Sequence, residues 1–203
     1  FREETDARKM ISGLSAQVTV KTFSKKPIKK NAPLLFNLAE LQSECSKLFK
    51  IGPDKTLEIA QSLYEKKLTT YPRTDARVLT TAMAGEVDKN IKGLTGYSTV
   101  SSFASAILDN HWYKGIAKTK YIDDSKVTDH YAIIPTGDTS ALSSLKTEEA
   151  NVYELIVKRF LSIFYPPAVY EQVCIEMVAG TEHFFTSDKV LSEKGFYEVA
   201  GIP

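Results

Sequence analysis

The hydrophobic period of this chain changes twice, and that change restricts the folds open to it. Residues 14–23, Leu-Ser-Ala-Gln-Val-Thr-Val-Lys-Thr-Phe, alternate small or polar residues with Val18 and Val20, the period of a half-buried strand. Val169–Val178, His183–Ser187 and Gly195–Val199 repeat the pattern at the far end, punctuated by Gly180 and Gly195. Between the two ends the period is helical. Asn37 and Glu40 have capping-box spacing, and Leu38, Leu41, Cys45, Leu48 and Phe49 follow on one face. Gly52-Pro53-Asp54 breaks the chain, and Asp54 caps a second helix whose stripe is Leu57, Ala60, Leu63 and Tyr64. Weaker helices are expected at about 80–90 and 98–110. A strong one at 147–164 aligns Ala150, Tyr153, Ile156 or Val157, Phe160, Leu161 and Phe164 before Pro166-Pro167 stops it. Strands at both ends of a helical middle predict an α+β protein: a helical domain over 36–165 inserted in a discontinuous antiparallel β domain made of 1–35 and 166–203. The two connections between them predict a hinge.

Composition excludes more than it assigns. With 26 basic and 25 acidic residues the formal charge is +1, so any nucleic-acid site must be a local patch. Two cysteines, Cys45 and Cys174, fit a reducing compartment, and both are expected to be packing residues. No apolar run reaches the ~18–20 residues of a membrane span, and Phe1-Arg-Glu-Glu-Thr-Asp lacks the order of a signal peptide, so a soluble cytoplasmic protein without a membrane partner is expected. An opening at Phe1 and an end at Gly201-Ile-Pro203 predict the interior of a longer protein. Lys25-Lys26-Pro-Ile-Lys29-Lys30 is expected to be a solvated hairpin or linker, with a nucleic-acid backbone contact as the lesser alternative.

The chemistry concentrates in Gln61–Arg77. Tyr71 precedes Pro72, which pushes its backbone out of the α region, and Arg73 and Arg77 offer planar forks matched to phosphate oxygens. A tyrosine titrating near 10 attacks phosphorus only where cations stabilise the developing phenolate, a task that suits Arg73. Asp75 can orient the arginine or a water. Arg73, Thr74, Asp75, Arg77 and Gln61 are the expected DNA contacts. A lone Tyr-Pro would be a tyrosine at a helix end with a half-buried ring; the full Thr-Tyr-Pro-Arg-Thr-Asp run shifts the reading toward a nucleophile. A second block, Thr128-Asp-His-Tyr-Ala-Ile-Ile-Pro-Thr136, carries His130, whose imidazole can bond a phosphate oxygen or assist proton transfer to a leaving hydroxyl. His111 and His183 lack catalytic neighbours, and Trp112 and Tyr113 are expected to be packing or surface aromatics. No Asp-x-Asp, Cys-x-x-Cys or His-x-x-x-His spacing and no Gly-rich phosphate loop occurs, so neither a metal site nor ATP binding is expected in this chain.

Tyr71-Pro-Arg-Thr-Asp75 and His130-Tyr-Ala-Ile-Ile-Pro-Thr136, in that order, resemble the active-site segments of type IA DNA topoisomerases, the topoisomerase III branch most closely. Further likeness runs through Leu38–Gln42, Ala60–Tyr64 and Tyr153–Phe160, covering most of residues 33–165. The resemblance implies that Tyr71 forms a 5′-phosphotyrosine link with one DNA strand, that Arg73 stabilises the phosphate and that His130 aids cleavage. Two departures, Ala76 for a common serine and Tyr131 for a common histidine or glutamate, put a proton relay through those positions in doubt. It further implies a magnesium-binding Toprim domain and a toroid-completing domain outside this chain, so that the chain alone is expected to be inactive. The alternatives are a non-catalytic single-stranded DNA-binding module in which Tyr71 stacks on a base, a tyrosine recombinase or a rolling-circle nicking enzyme. The recombinase lacks its Arg-His-Arg set here, and the nicking enzyme its paired metal histidines.

Overall fold

The structure is a computed structural model and describes residues 2–202; Phe1 and Pro203, the ends of the expected β domain, lie outside the described residues. It is a mixed helix and antiparallel-sheet protein with two compact units, each with its own packing.

The first unit comprises the residues up to Lys30 and Pro167–Lys194. It holds helix α1 (Glu4–Ser12) and strands β1 (Thr19–Lys30), β2 (Ala168–Ala179) and β3 (Glu182–Glu193), antiparallel in the order β1-β2-β3. β2 and β3 form a hairpin whose first loop residue, Gly180, sits at φ +67, a turn conformation that glycine adopts without a Cβ penalty. β1 begins later than the alternation of Val18 predicts and contains the whole Lys25–Lys30 run, which corrects the hairpin or linker reading. Pro27 is tolerated there because β1 is an edge strand and needs no donor on its outer side. Lys25 reaches Glu171 at 3.2 Å and Lys21 reaches Glu176 at 3.2 Å, cross-strand pairs that offset part of the basic charge. Cys174 of β2 is exposed, not packed as expected, because a three-stranded sheet leaves alternate side chains uncovered.

The second unit comprises Asn31–Pro166 and the residues from Gly195 onward. Its helices are α2 (Leu38–Phe49), α3 (Pro53–Glu65), α4 (Thr81–Ala84), α5 (Val87–Leu94), α6 (Ser101–Asp109), α7 (Thr147–Ser162) and α8 (Tyr197–Ala200). The Asn37 side chain accepts from the Glu40 N–H at 2.9 Å, as the capping spacing predicts, whereas α3 begins at Pro53 with Gly52 as its cap and Asp54 in its first turn. On α3 the buried face is Thr56, Ile59, Ala60 and Leu63; Tyr64, expected in the stripe, is 41% exposed, and so is Leu48 of α2 at 57%. One residue's rotation of the stripe, about 100°, is enough to move a side chain from core to rim.

Helix α7 is the centre of this unit. Tyr153, Ile156, Val157, Phe160 and Leu161 are fully buried, α3 and α8 pack against it, and Phe196, Tyr197 and Val199 are buried at the C-terminal end. Gly195–Val199, expected as a strand, is corrected to a helical turn: Phe196 N–H donates to the Pro166 carbonyl at 2.9 Å, which starts α8. At the head of α7 the Glu149 carboxylate accepts from the Lys146 N–H at 3.0 Å, the Ser62 hydroxyl at 2.6 Å and the Lys66 ammonium at 2.6 Å, so it caps its own helix and ties it to α3. Burial by itself would raise the pKa of Glu149; these donors outweigh burial and hold it at about 2 against an ordinary 4.5.

A depressed folded-state pKa means that the Glu149 contribution to stability is complete above pH 4.5 and lost as pH falls from there toward about 2. Urea unfolding at a series of pH values should show a loss across that window in the native chain and a flatter profile in Glu149→Gln. A Cβ added at Gly93 would lie 2.0 Å from the carbonyl oxygen of Gly137, with backbone on both sides, whereas one at Gly85 would lie 3.5 Å from the Ala82 oxygen. Gly93→Ala should cost roughly 2–4 kcal/mol and Gly85→Ala under about 1 kcal/mol, read from denaturation midpoints.

Candidate active site

Three irregular segments build the site. Leu68 and Thr136 begin the contact, with the Thr136 N–H donating to the Leu68 carbonyl at 3.0 Å, and Thr70 N–H donates to Ile134 O at 3.0 Å. The Thr70 hydroxyl then donates to Ala132 O and accepts from Ile134 N–H, each at 3.0 Å. Further along, the Thr74 hydroxyl donates to His130 O at 2.7 Å and accepts from Ala76 N–H at 3.1 Å, and Ala132 N–H donates to Val78 O at 3.0 Å. The segment before α2 joins from the other side: Ile133 N–H reaches Phe36 O at 2.8 Å and Leu35 N–H reaches Arg77 O at 3.1 Å. Leu35, Phe36, Leu68, Leu79, Ala132, Ile133 and Ile134 are buried beneath these bonds, so the backbone geometry is fixed by the core.

This arrangement places Tyr71 beside His130. Their ring centroids are 4.5 Å apart at 46°, and Tyr64 stands edge-on to Tyr71 at 5.4 Å and 78°. Tyr71 is half-buried and His130 exposed. Both line a cavity of about 530 Å³ with Tyr64, Thr69, Thr70 and Tyr131. Burial raises the pKa of Tyr131, which keeps that phenol protonated and able to donate. The Thr69 hydroxyl, in the same wall, is buried with no hydrogen-bond partner among the described residues.

The remaining expected residues separate. Arg73 and Asp75 are exposed, two and four positions beyond Tyr71, and neither side chain forms a hydrogen bond or ion pair among the described residues; Asp75 lends its backbone carbonyl to Asn37 Nδ2 at 3.1 Å. Thr74, expected at DNA, is instead buried, its hydroxyl consumed by His130 O and Ala76 N–H, which makes it a support for the histidine segment. Arg77 is engaged with Glu40 at 3.1 Å and the Leu35 carbonyl at 3.2 Å, and Gln61 with Glu65 at 3.1 Å on α3. Tyr64, Thr69, Thr70 and Tyr131 were not expected at the site. Nothing in the sequence singles out Thr70; only the fold pairs it with Ala132 and Ile134. Among the described residues no group of three or more His, Cys, Asp or Glu gathers as a metal site.

The DNA topoisomerase family profile matches residues 1–203, the whole chain. The chain belongs to the DNA topoisomerase family. It is 38% identical to DNA topoisomerase 3 of Bacillus cereus over 183 residues, covering 89% of this chain and 24% of that protein. Against DNA topoisomerase 3 of Bacillus subtilis it is 35% identical over 202 residues, 98% of this chain and 27% of that protein. The expected likeness to topoisomerase III is borne out in these relatives, and the chain spans about a quarter of their length. The fold matches full-length topoisomerase I of Thermotoga maritima with a TM-score of 0.65 at 22% identity, over 100% of this chain and 32% of that one. No helix among the described residues is long and apolar enough to cross a membrane.

Replacing Thr70 by Val preserves shape and removes the hydroxyl that joins the two topoisomerase motifs, leaving Ala132 O and Ile134 N–H short of a partner. Thr70→Val should destabilise by about 1–3 kcal/mol in chemical denaturation, and Thr70→Ser, which keeps the oxygen, by clearly less.

Proposed function

We propose that this chain supplies the nucleophile half of a type IA strand-cleaving site. The observation that carries the reading is the 4.5 Å approach of the Tyr71 and His130 rings at one cavity, in a chain that the DNA topoisomerase family matches from end to end. Tyr71 Oη attacks the phosphorus of one DNA strand; the Oη–P bond forms, the P–O3′ bond breaks, the phenol loses its proton and the 3′-oxygen leaves as a hydroxyl. The result is a 5′-phosphotyrosine link, and the reverse reaction religates the strand after another passes through the break. Arg73, exposed and without an internal partner, stabilises the charge on the phosphate oxygens, and His130 assists proton transfer to the 3′-oxygen.

In this reading the sheet unit acts as the hinge and arch and the helical unit, inserted in it, as the gate. Single-stranded DNA is the partner, and the intact enzyme works in the cytoplasm. Magnesium is held by a Toprim domain outside this chain, and a toroid-completing domain lies outside it too. Opposing groups and metal normally carry the largest share of such catalysis, so the chain by itself should form no covalent adduct at a rate near that of the whole enzyme.

The test is adduct trapping on single-stranded DNA with the whole enzyme. Tyr71→Phe should abolish the covalent adduct and leave DNA affinity within about threefold, while His130→Gln should slow cleavage by roughly 10²–10⁴. Cleavage retained in Tyr71→Phe would show that another residue attacks; loss of binding in step with cleavage would favour an architectural DNA-binding module.

A further inference from the structure

Away from Tyr71, residues 110–122, Asn-His-Trp-Tyr-Lys-Gly-Ile-Ala-Lys-Thr-Lys-Tyr-Ile, contain three lysines, a histidine and three aromatics with no carboxylate. In a chain with a net charge of +1 this is a concentrated local patch. His111 at φ 53 and Gly115 at φ 90 hold the backbone in left-handed conformations, so the helical path of α6 does not continue through the segment. Trp112 N–H donates to Ile107 O at 3.0 Å, and the buried Tyr121 donates its hydroxyl to Ala32 O at 2.8 Å, which anchors both ends of the turn.

The fold of this segment opens a second cavity of about 450 Å³, lined by Trp112, Lys114, Lys120, Tyr121, Phe164 and Tyr165. It shares no lining residue with the Tyr71 cavity. Trp112 is half-buried, edge-on to Tyr165 at 4.9 Å, and the Lys120 ammonium lies 5.2 Å from the Tyr121 ring centroid. Lys114, Lys118 and Lys120 are exposed, and none of them pairs with a carboxylate among the described residues. The acids that follow in sequence are engaged elsewhere, Asp123 with Lys126 at 2.7 Å and Asp124 with the Thr81 hydroxyl at 2.6 Å.

We propose that this cavity is a second contact for single-stranded DNA, in which one base stacks on Trp112 and its flanking phosphates meet Lys114 and Lys120. Aromatic platforms with basic groups along the backbone path are the two components of sequence-tolerant single-strand sites, and the cavity volume lies in the range of about 300–1,000 Å³ typical of small-ligand pockets. An acidic peptide would satisfy the lysines and leave the aromatic wall unused. The site holds a stretch of strand apart from the phosphate at Tyr71 and does not depend on covalent chemistry.

Trp112 is the only tryptophan, so its fluorescence reports on this cavity directly. Titration with a short oligothymidylate at low salt should quench it saturably, and Tyr71→Phe should leave the titration unchanged. The double variant Lys114→Glu, Lys120→Glu, checked for intact fold by circular dichroism, should bind at least tenfold more weakly and lower the slope of log affinity against log salt by about 1.4, since each neutralised phosphate on a single strand contributes about 0.7. Absence of quenching, undiminished quenching in the double variant, or an equal response to polyglutamate would overturn the proposal.

Discussion

The hydroxyl of Thr70 is the contact on which the site depends. It spans two segments more than sixty positions apart in sequence, donating to Ala132 O and accepting from Ile134 N–H. A regular ladder cannot run there, because Pro72 and Pro135 have no N–H to donate, and the pairing shrinks to the isolated bridge of Thr69 with Pro135. Threonine side chains fill the gaps: Thr70 in the middle, Thr74 toward His130, and Thr136 toward Lys67 O at 2.6 Å. Pro72 also disfavours the α region for Tyr71, the residue before it, so one of the prolines that break the ladder restricts the backbone of the residue whose ring lines the cavity.

Support for these segments comes from the helical core. Arg159 of α7 donates to Leu34 O at 2.9 Å and lays its guanidinium 4.0 Å from the Phe36 ring centroid, and Phe36 O in turn receives the Ile133 N–H. On the far side Asn90 of α5 donates to Pro135 O at 2.8 Å, and the close approach of Gly93 to Gly137 locks the exit of the same segment. α3 closes the third side, with Leu63 in the core and Tyr64 against the Tyr71 ring. Three helices therefore converge on a strand-like pair too short to be stable on its own.

Sequence periodicity made α7 legible because it is long and buried on a continuous face, and β2 was legible through its β-branched residues although most of its side chains are only half-buried. Periodicity failed at Gly195–Val199, where Phe196, Tyr197 and Val199 fit a strand's alternation or a helical turn equally well, and tertiary capture by Pro166 O decided for the turn. Lys25–Lys30 was opaque for another reason: charge and Pro27 signal a loop, yet an edge strand accommodates both. At the site, Tyr71 and His130 stood out because each belongs to an unusual run, and the fold brings their rings to 4.5 Å at one cavity. Arg77 did not, because one guanidinium serves a phosphate or a carboxylate equally well, and only the fold reveals Glu40 at 3.1 Å.

That difference between Arg73 and Arg77 follows from how the segment alternates. From Pro72 to Val78 buried residues are interleaved with exposed or half-exposed ones, so Pro72, Thr74, Ala76 and Val78 face the core while Arg73, Asp75 and Arg77 face outward. Of the three outward groups, Arg77 is nearest to α2, and Glu40 in the first turn of that helix claims it. Arg73 is nearer Tyr71 in sequence, and its guanidinium has no partner among the described residues. A hydrogen-bonded backbone carrying a few side chains whose polar atoms lack internal partners is the arrangement that electrostatic preorganisation requires: the scaffold bears the ordering cost during folding, and on the function proposed above a DNA phosphate would meet groups already in place.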